Sequence, residues 1–350
     1  DDGILQTSVT WAEFENQLRS ALKTEARFGP NKSVLDIGDG NGFASCCGLI
    51  TCDWMGGTAH EIMPKAVVLK IPSNLPMRRL NDALPEGQKM FNFDEDGWRK
   101  VQAENEEIHN IEVATYEYFS QFDGLAVPRM YYGKPAENGS RQGQICFEYV
   151  SNSRMMQFYE RHSVEQVRQI ARSLGKIQAC SLKKEPTNAL LNQDFFRILA
   201  EIGVLQTFRG IFKSILILDN SEETNNLMKN IDALLPKFYE LNMTSSMDKL
   251  MSEKLVLVNG DLHTGNVLID KDTCDLAAMI DWQSTHLSVG AEDLHRIAMS
   301  ALSAEDRRDA MPMLIEEMYM SMVENLGVIE PPFSLDEVLC TCIPIISVSL

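Results

Sequence analysis

The chain has 350 residues, 44% of them hydrophobic, enough to bury a sizeable core and to build two lobes or two ordinary domains. Its 32 basic residues stand against 50 acidic ones, a formal charge of −18, with no dense basic cluster to offset the excess. That balance disfavours nucleic acid and anionic membrane as partners, while leaving room for a local basic pocket that takes phosphates.

In chain order, Phe14, Leu18, Ala21, Leu22 and Ala26 recur at helical spacing and predict a helix over residues 11–28, stopped by Gly29-Pro30. A strand then leads into a glycine-rich turn containing Gly38, Gly40 and Gly42, with Ser45 just beyond. This is also how the first strand and loop of an S-adenosylmethionine-dependent methyltransferase read, because glycine lets a backbone approach a cofactor closely. The next segments favour another arrangement. Residues 49–52 and 65–71 read as further strands with no crossover helix between them, which predicts antiparallel strands over the glycine turn, the last carrying Lys70.

Residues 79–96 are rich in Pro, Gly, Asn and Asp and read as a loop. From 98 to 122 the pattern is helical; it carries Glu112 beside Ile108 and Ile111, with Glu104, Glu106 and Glu107 as alternative carboxylates to pair with a lysine. Strands are predicted at 128–132 and 144–150. Ser163 and Gln166 form a capping-box signature ahead of a helical stripe that runs from Val164 to Ile177. Residues 188–250 are again helical in pattern, and more helix follows Gly290.

The stretch 255–281 is the most informative. Apolar runs at 255–258, 267–269 and 277–280 alternate with polar turns, as two hairpin-like arms that present Asp261, Asn266 and Asp281 together. Phosphoryl transfer from a nucleotide needs one carboxylate beside the acceptor hydroxyl, and an amide oxygen with a second carboxylate to hold magnesium against the phosphates. An Asp followed five residues later by Asn, then an Asp at a strand end, fits that need.

Eight cysteines at irregular spacing, several in apolar segments such as Cys146 and Cys180, suit reduced thiols in a cytoplasmic protein. Neither Cys46, Cys47 and Cys52 nor Cys340 and Cys342 completes a zinc-type ligand set. The chain opens on Asp1 and shows no signal-peptide pattern, and its longest apolar stretch is broken by Thr341, Pro344 and Ser347. A fragment of a longer protein is compatible with that opening.

Together these features resemble the kinase-like small-molecule phosphotransferases: choline kinase, aminoglycoside phosphotransferases and the ecdysteroid-kinase-like group. The likeness is greatest to the CHK-kinase-like (DUF1679) proteins of nematodes, from Asp36-Ile37-Gly38 through His109-Asn110-Ile111-Glu112-Val113 to Asn259-Gly260-Asp261-Leu262-His263 and Ile280-Asp281-Trp282-Gln283. The resemblance implies an α+β, bilobal, protein-kinase-like fold: residues 1–150 as a nucleotide-binding lobe with an antiparallel sheet plus helix, and 151–350 as a largely helical catalytic and acceptor-binding lobe. It implies ATP and Mg2+ as cofactors and a small-molecule hydroxyl as acceptor. By the same likeness Asp261 is the catalytic base, Asn266 and Asp281 are magnesium ligands, and Lys70 is a phosphate clamp with Glu112 as its partner. Gly38, Gly40, Gly42 and Ser45 then cover the phosphates, and the hinge around Glu148 and Val150 receives the adenine.

Three departures stand out. Relatives carry His two residues before the base where this chain has Asn259, a position expected to shape the loop; His263 is given the same kind of role. Gly260 stands where protein kinases have Arg, and no A-P-E follows Asp281, so a phosphorylated activation loop is not expected. The helices over 188–250 and 291–326 are expected to hold the acceptor, which the sequence does not name. The alternatives are a catalytically inactive kinase-fold module, prompted by Asn259 and by the reduced motif Asp281-Trp282-Gln283, and the methyltransferase prompted by the glycine turn.

Overall fold

The computed structural model describes residues 3–38, 42–57, 62–85, 89, 91–137, 141–157, 159–187, 215–216, 219–240 and 255–339. Helix α1 (Trp11–Leu22) is capped by the Thr10 side chain, which accepts the Glu13 amide. It ends earlier than its apolar spacing predicts. Lys23 turns left-handed (φ 55°), and the released segment Arg27–Phe28 (β1) pairs instead with Trp54–Met55 (β4).

Strands β2 (Ser33–Asp36), β3 (Ser45–Thr51), β5 (Ala66–Pro72), β6 (Met130–Lys134) and β7 (Gln144–Glu148) form one antiparallel sheet in the order β2-β3-β5-β7-β6. β2 and β3 are therefore a hairpin around the glycine turn, not the parallel arms of a βαβ unit, and the methyltransferase topology is not met. Alternation along β5 sends Val67, Leu69 and Ile71 into a core shared with Phe14 and Leu18 of α1. Val68 and Lys70 consequently face the other side, toward α3 (Glu95–Phe119).

The segment expected to be a loop after Arg79 is helical at its start. Helix α2 (Leu75–Ala83) accepts Pro76 because a first-turn residue needs no N–H partner, and the Asn81 side chain then ties down the backbone of Phe91.

Helix α4 (Val164–Lys183) begins with the expected capping box: Ser163 Oγ accepts the Gln166 amide, and Gln166 Oε1 accepts the Ser163 amide at 2.8 Å. Gly175 lets it pack tightly on α7 (Ala304–Leu326), since a Cβ there would sit 2.1 Å from the Met318 carbonyl oxygen. Helix α5 (Glu222–Glu240) occupies part of the stretch predicted helical over 188–250; residues 188–214 and 241–250 lie outside the described residues.

Strands β10 (Val267–Asp270) and β11 (Leu276–Met279) make a hairpin, flanked by β8 (Ser153–Met155). The expected pairing of two arms differs at β9 (Val256–Val258), which pairs with β12 (His286–Ser288) rather than with β10. The intervening loop turns its backbone groups to side chains from elsewhere instead of to a ladder. One continuous core joins α3, α4, α7 and α6 (Glu292–Ala301) beneath these strands, with Trp282 fully buried in it. Among the described residues, no helix is long and apolar enough to cross a membrane.

Candidate active site

The strand period of two and the helix period of 3.6 bring Lys70 and Glu112 together across the sheet-helix interface. Lys70 Nζ lies 2.6 Å from Glu112 Oε2 and 2.7 Å from Asp281 Oδ1. Glu106, one of the alternative partners on α3, instead accepts the Gln102 side chain. Glu112 is only 1% exposed, and its Oε1 accepts the Trp282 amide at 3.3 Å. Burial disfavours the Lys70 ammonium, but the Asp281 and Glu112 carboxylates outweigh that and hold its pKa above the ordinary value. It is thus a fixed cation at pH 7. Cys47, opposite Lys70 in the register, is pushed up to about 11 by burial and is no nucleophile.

Asp281 follows β11 in a left-handed conformation (φ 60°), half-exposed toward the site. Trp282 anchors it: the indole N–H donates to the Met279 carbonyl, and the ring meets Phe119 edge-on at 4.7 Å. Asn266 stands at the same end of the hairpin, because its carbonyl accepts the Ile280 amide at 2.9 Å. Its side-chain Nδ2 donates to the Asp261 carbonyl, which leaves Oδ1 to act as an acceptor. A carboxylate and an amide oxygen are the hard donors that magnesium takes, so Asp281 and Asn266 fit such an ion.

Asp261 sits on a loop whose turn is set by Gly260 (φ 79°), where a Cβ would approach the Ser284 carbonyl oxygen to 2.5 Å. Asn259 is buried and shapes that loop: its Oδ1 accepts the Asp261 amide at 3.0 Å, and its Nδ2 donates to the Asp281 carbonyl at 3.0 Å. Asn259 therefore joins the Asp261 and Asp281 segments. His263 Nδ1 accepts the Gly265 amide, again a contact within the loop, and burial keeps the ring below its ordinary pKa.

Several residues of the site were not anticipated. Asp293, 1% exposed, accepts the Asn259 amide at 2.7 Å and the Gly260 amide at 2.9 Å. Burial and the neighbouring Glu292 push its carboxyl up to about 6, against the pull of those amides. Arg296 donates to Asp261 Oδ1 at 2.5 Å, and Ser300 Oγ accepts the Thr264 amide at 3.1 Å. Asp293, Arg296 and Ser300 fall on one face of α6 and hold the loop at successive points. Beneath it, His286 lies 3.5 Å from Glu292; burial opposes its charge, but Glu292 wins and raises the ring to about 9.

Other expected positions are less closely drawn in. Gly38 donates its amide to Asp36 Oδ1 at 3.0 Å, next to Cys47; Gly42 has open space around it, and Ser45 is buried with Oγ near Cys47 Sγ. Gly40 lies outside the described residues. Glu148 ends β7 with its amide committed to the Arg129 carbonyl, and Val150 lies in the turn that follows, its carbonyl accepting Ser153 Oγ.

The model of the DUF1679 family, described as "Uncharacterized oxidoreductase dhs-27", matches residues 1–342. The chain belongs to this family. A relative of this DUF1679 protein, "Uncharacterized kinase-like protein D1044.1" of Caenorhabditis elegans, is 26% identical over 229 residues, 64% of this chain and 59% of that protein. The chain thus spans about three-fifths of that relative's length. Among solved structures, the aminoglycoside phosphotransferase APH(3'')-Id from Streptomyces rimosus, in complex with ADP and streptomycin, is similar at 13% identity and TM-score 0.44 over 93% of this chain and 97% of that one. Spectinomycin phosphotransferase APH(9)-Ia, in complex with ADP and spectinomycin, gives 13% identity and the same TM-score over 93% and 82%. The DUF1679 chain is α+β as expected, an antiparallel sheet with helix α3 followed by a largely helical portion.

Proposed function

We propose that this DUF1679 protein is a phosphotransferase that moves the γ-phosphoryl group of ATP, with magnesium, to a hydroxyl of a small organic molecule. The observation that carries this reading is the buried Lys70 cation, held jointly by Glu112 and Asp281 and tied through Asn259 to the loop that bears Asp261. On this reading residues 1–150 form the nucleotide lobe and 151–350 the catalytic and acceptor lobe.

The roles follow from the chemistry. Lys70 steadies the α- and β-phosphates while Glu112 fixes its direction. Asp281 and Asn266 hold magnesium, which supplies charge neutralisation to the phosphates when bound. Asp261 takes the proton as the acceptor oxygen bonds to the γ-phosphorus and the bond to ADP breaks. Gly38, Gly40, Gly42 and Ser45 lie over the phosphates, and the 148–150 segment receives the base. The active reading is supported by Asn259, whose contacts build the loop rather than disrupt it. The oxidoreductase wording of the family description draws no support from the described strands, which lack a dinucleotide-binding βαβ unit around the glycine turn.

The test is ADP formation from Mg-ATP across a library of hydroxyl compounds, with wild type and Asp261→Asn side by side. Acceptor-dependent ADP formation in wild type, reduced at least ~10³-fold in the variant, is expected. Equal turnover in the two proteins would remove Asp261 from the base role.

A further inference from the structure

Helix α6 runs along the catalytic loop in register. Asp293 holds the amides of Asn259 and Gly260, Arg296 holds the Asp261 carboxylate, and Ser300 holds Thr264. The two outer contacts are buried or partly buried and go to backbone, so they fix where the loop lies. The middle one differs: it joins two side chains, 46% and 27% exposed, and ends on the functional carboxylate itself. An exposed ion pair adds little to stability. Its placement matters more.

We propose that Arg296 is a positioning residue for phosphoryl transfer: by engaging Oδ1 of Asp261 it fixes the carboxylate plane and assigns the other oxygen to the acceptor's proton. The inference rests on the phosphotransferase reading and adds to it a residue outside the loop and the hairpin. A planar guanidinium orients a carboxylate in a way that an ammonium does not, because its N–H donors are fixed in one plane. A base that rotates freely is out of line with the attacking oxygen for most of the time, and small misplacements of reacting groups are costly in rate. The backbone of α6 is anchored at Asp293 and Ser300 on either side, so the guanidinium is delivered to one place.

The experiment uses the full chain and Mg-ATP, with ADP release to water as the acceptor, in wild type, Arg296→Ala, Arg296→Lys and Asp261→Asn. Arg296→Ala is expected to lower kcat by roughly 10- to 100-fold with KM for ATP within about twofold of wild type, and Arg296→Lys to lie between the two. The melting temperature is expected to move by no more than about 3 °C, as for an exposed ion pair. Should the alanine variant fail to fold, Arg296→Lys carries the test: a kcat loss of ~3-fold or more at unchanged KM supports the role. An inactive Asp261→Asn beside an Arg296→Ala with wild-type kcat overturns this inference and leaves the phosphotransferase reading standing. A kcat loss that arrives with a proportionate rise in KM for ATP overturns it in favour of a structural role. Wild-type turnover in Asp261→Asn overturns both.

Discussion

The two halves of the site are held by different means. In one half, Lys70, Glu112 and Asp281 come from a strand, a helix and a hairpin end, and they meet through side-chain charges. In the other, the loop around Asp261 is held through its backbone, by side chains of Asn259, Asp293 and Ser300. A charge cluster fixes points but tolerates rearrangement when a nucleotide arrives, whereas amides locked onto a buried carboxylate do not. On the proposed function, the charge cluster would exchange Lys70's partners for phosphates while the Asp261 loop stays still.

The sharpest way to break that contrast is Asp293→Ala. It removes the acceptor from two buried amides, and an unsatisfied buried donor costs about 1–3 kcal/mol. A loss of roughly 2–5 kcal/mol in chemical denaturation is expected, together with collapse of turnover, while the Mg-ATP-induced rise in melting temperature persists in whatever remains folded. Loss of nucleotide stabilisation in step with turnover would show that the halves are not independent.

A smaller effect comes from His286, under the same loop. Its folded pKa is raised to about 9 from an ordinary 6.5, because Glu292 outweighs burial. Stabilisation by this imidazolium is therefore fully present below about pH 6.5 and is lost as pH rises through 9, by about 3 kcal/mol at most. Asp293, near 6, titrates below that window. Denaturation midpoints measured from pH 7 to 9.5 should decline in wild type and flatten in His286→Gln. Parallel curves would remove the charged pair from the account.

Legibility in the sequence follows the same divide. Lys70 and Glu112 were readable because periods of 2 and 3.6 state which face each side chain takes, and Asp261, Asn266 and Asp281 because their spacing is fixed by one loop and one hairpin. The end of helix α2 was missed because Asn81, Asp82 and Pro85 read as loop formers, although a buried asparagine serves a helix equally well. The β9-β12 pairing was missed because three apolar runs in a row suggest neighbours. Asp293 and Arg296 escaped notice for a different reason: contacts from a side chain to a loop more than thirty residues away leave no periodic trace.

The central claim is that Lys70, Asp281 and Asn266 hold a magnesium nucleotide opposite Asp261. It is tested most directly by the melting temperature of wild type and Asp281→Ala with ATP, with and without Mg2+. Wild type should gain several degrees with ATP and magnesium together and clearly less with ATP alone, a difference that Asp281→Ala abolishes. A magnesium-dependent gain that is the same in both proteins would contradict the account.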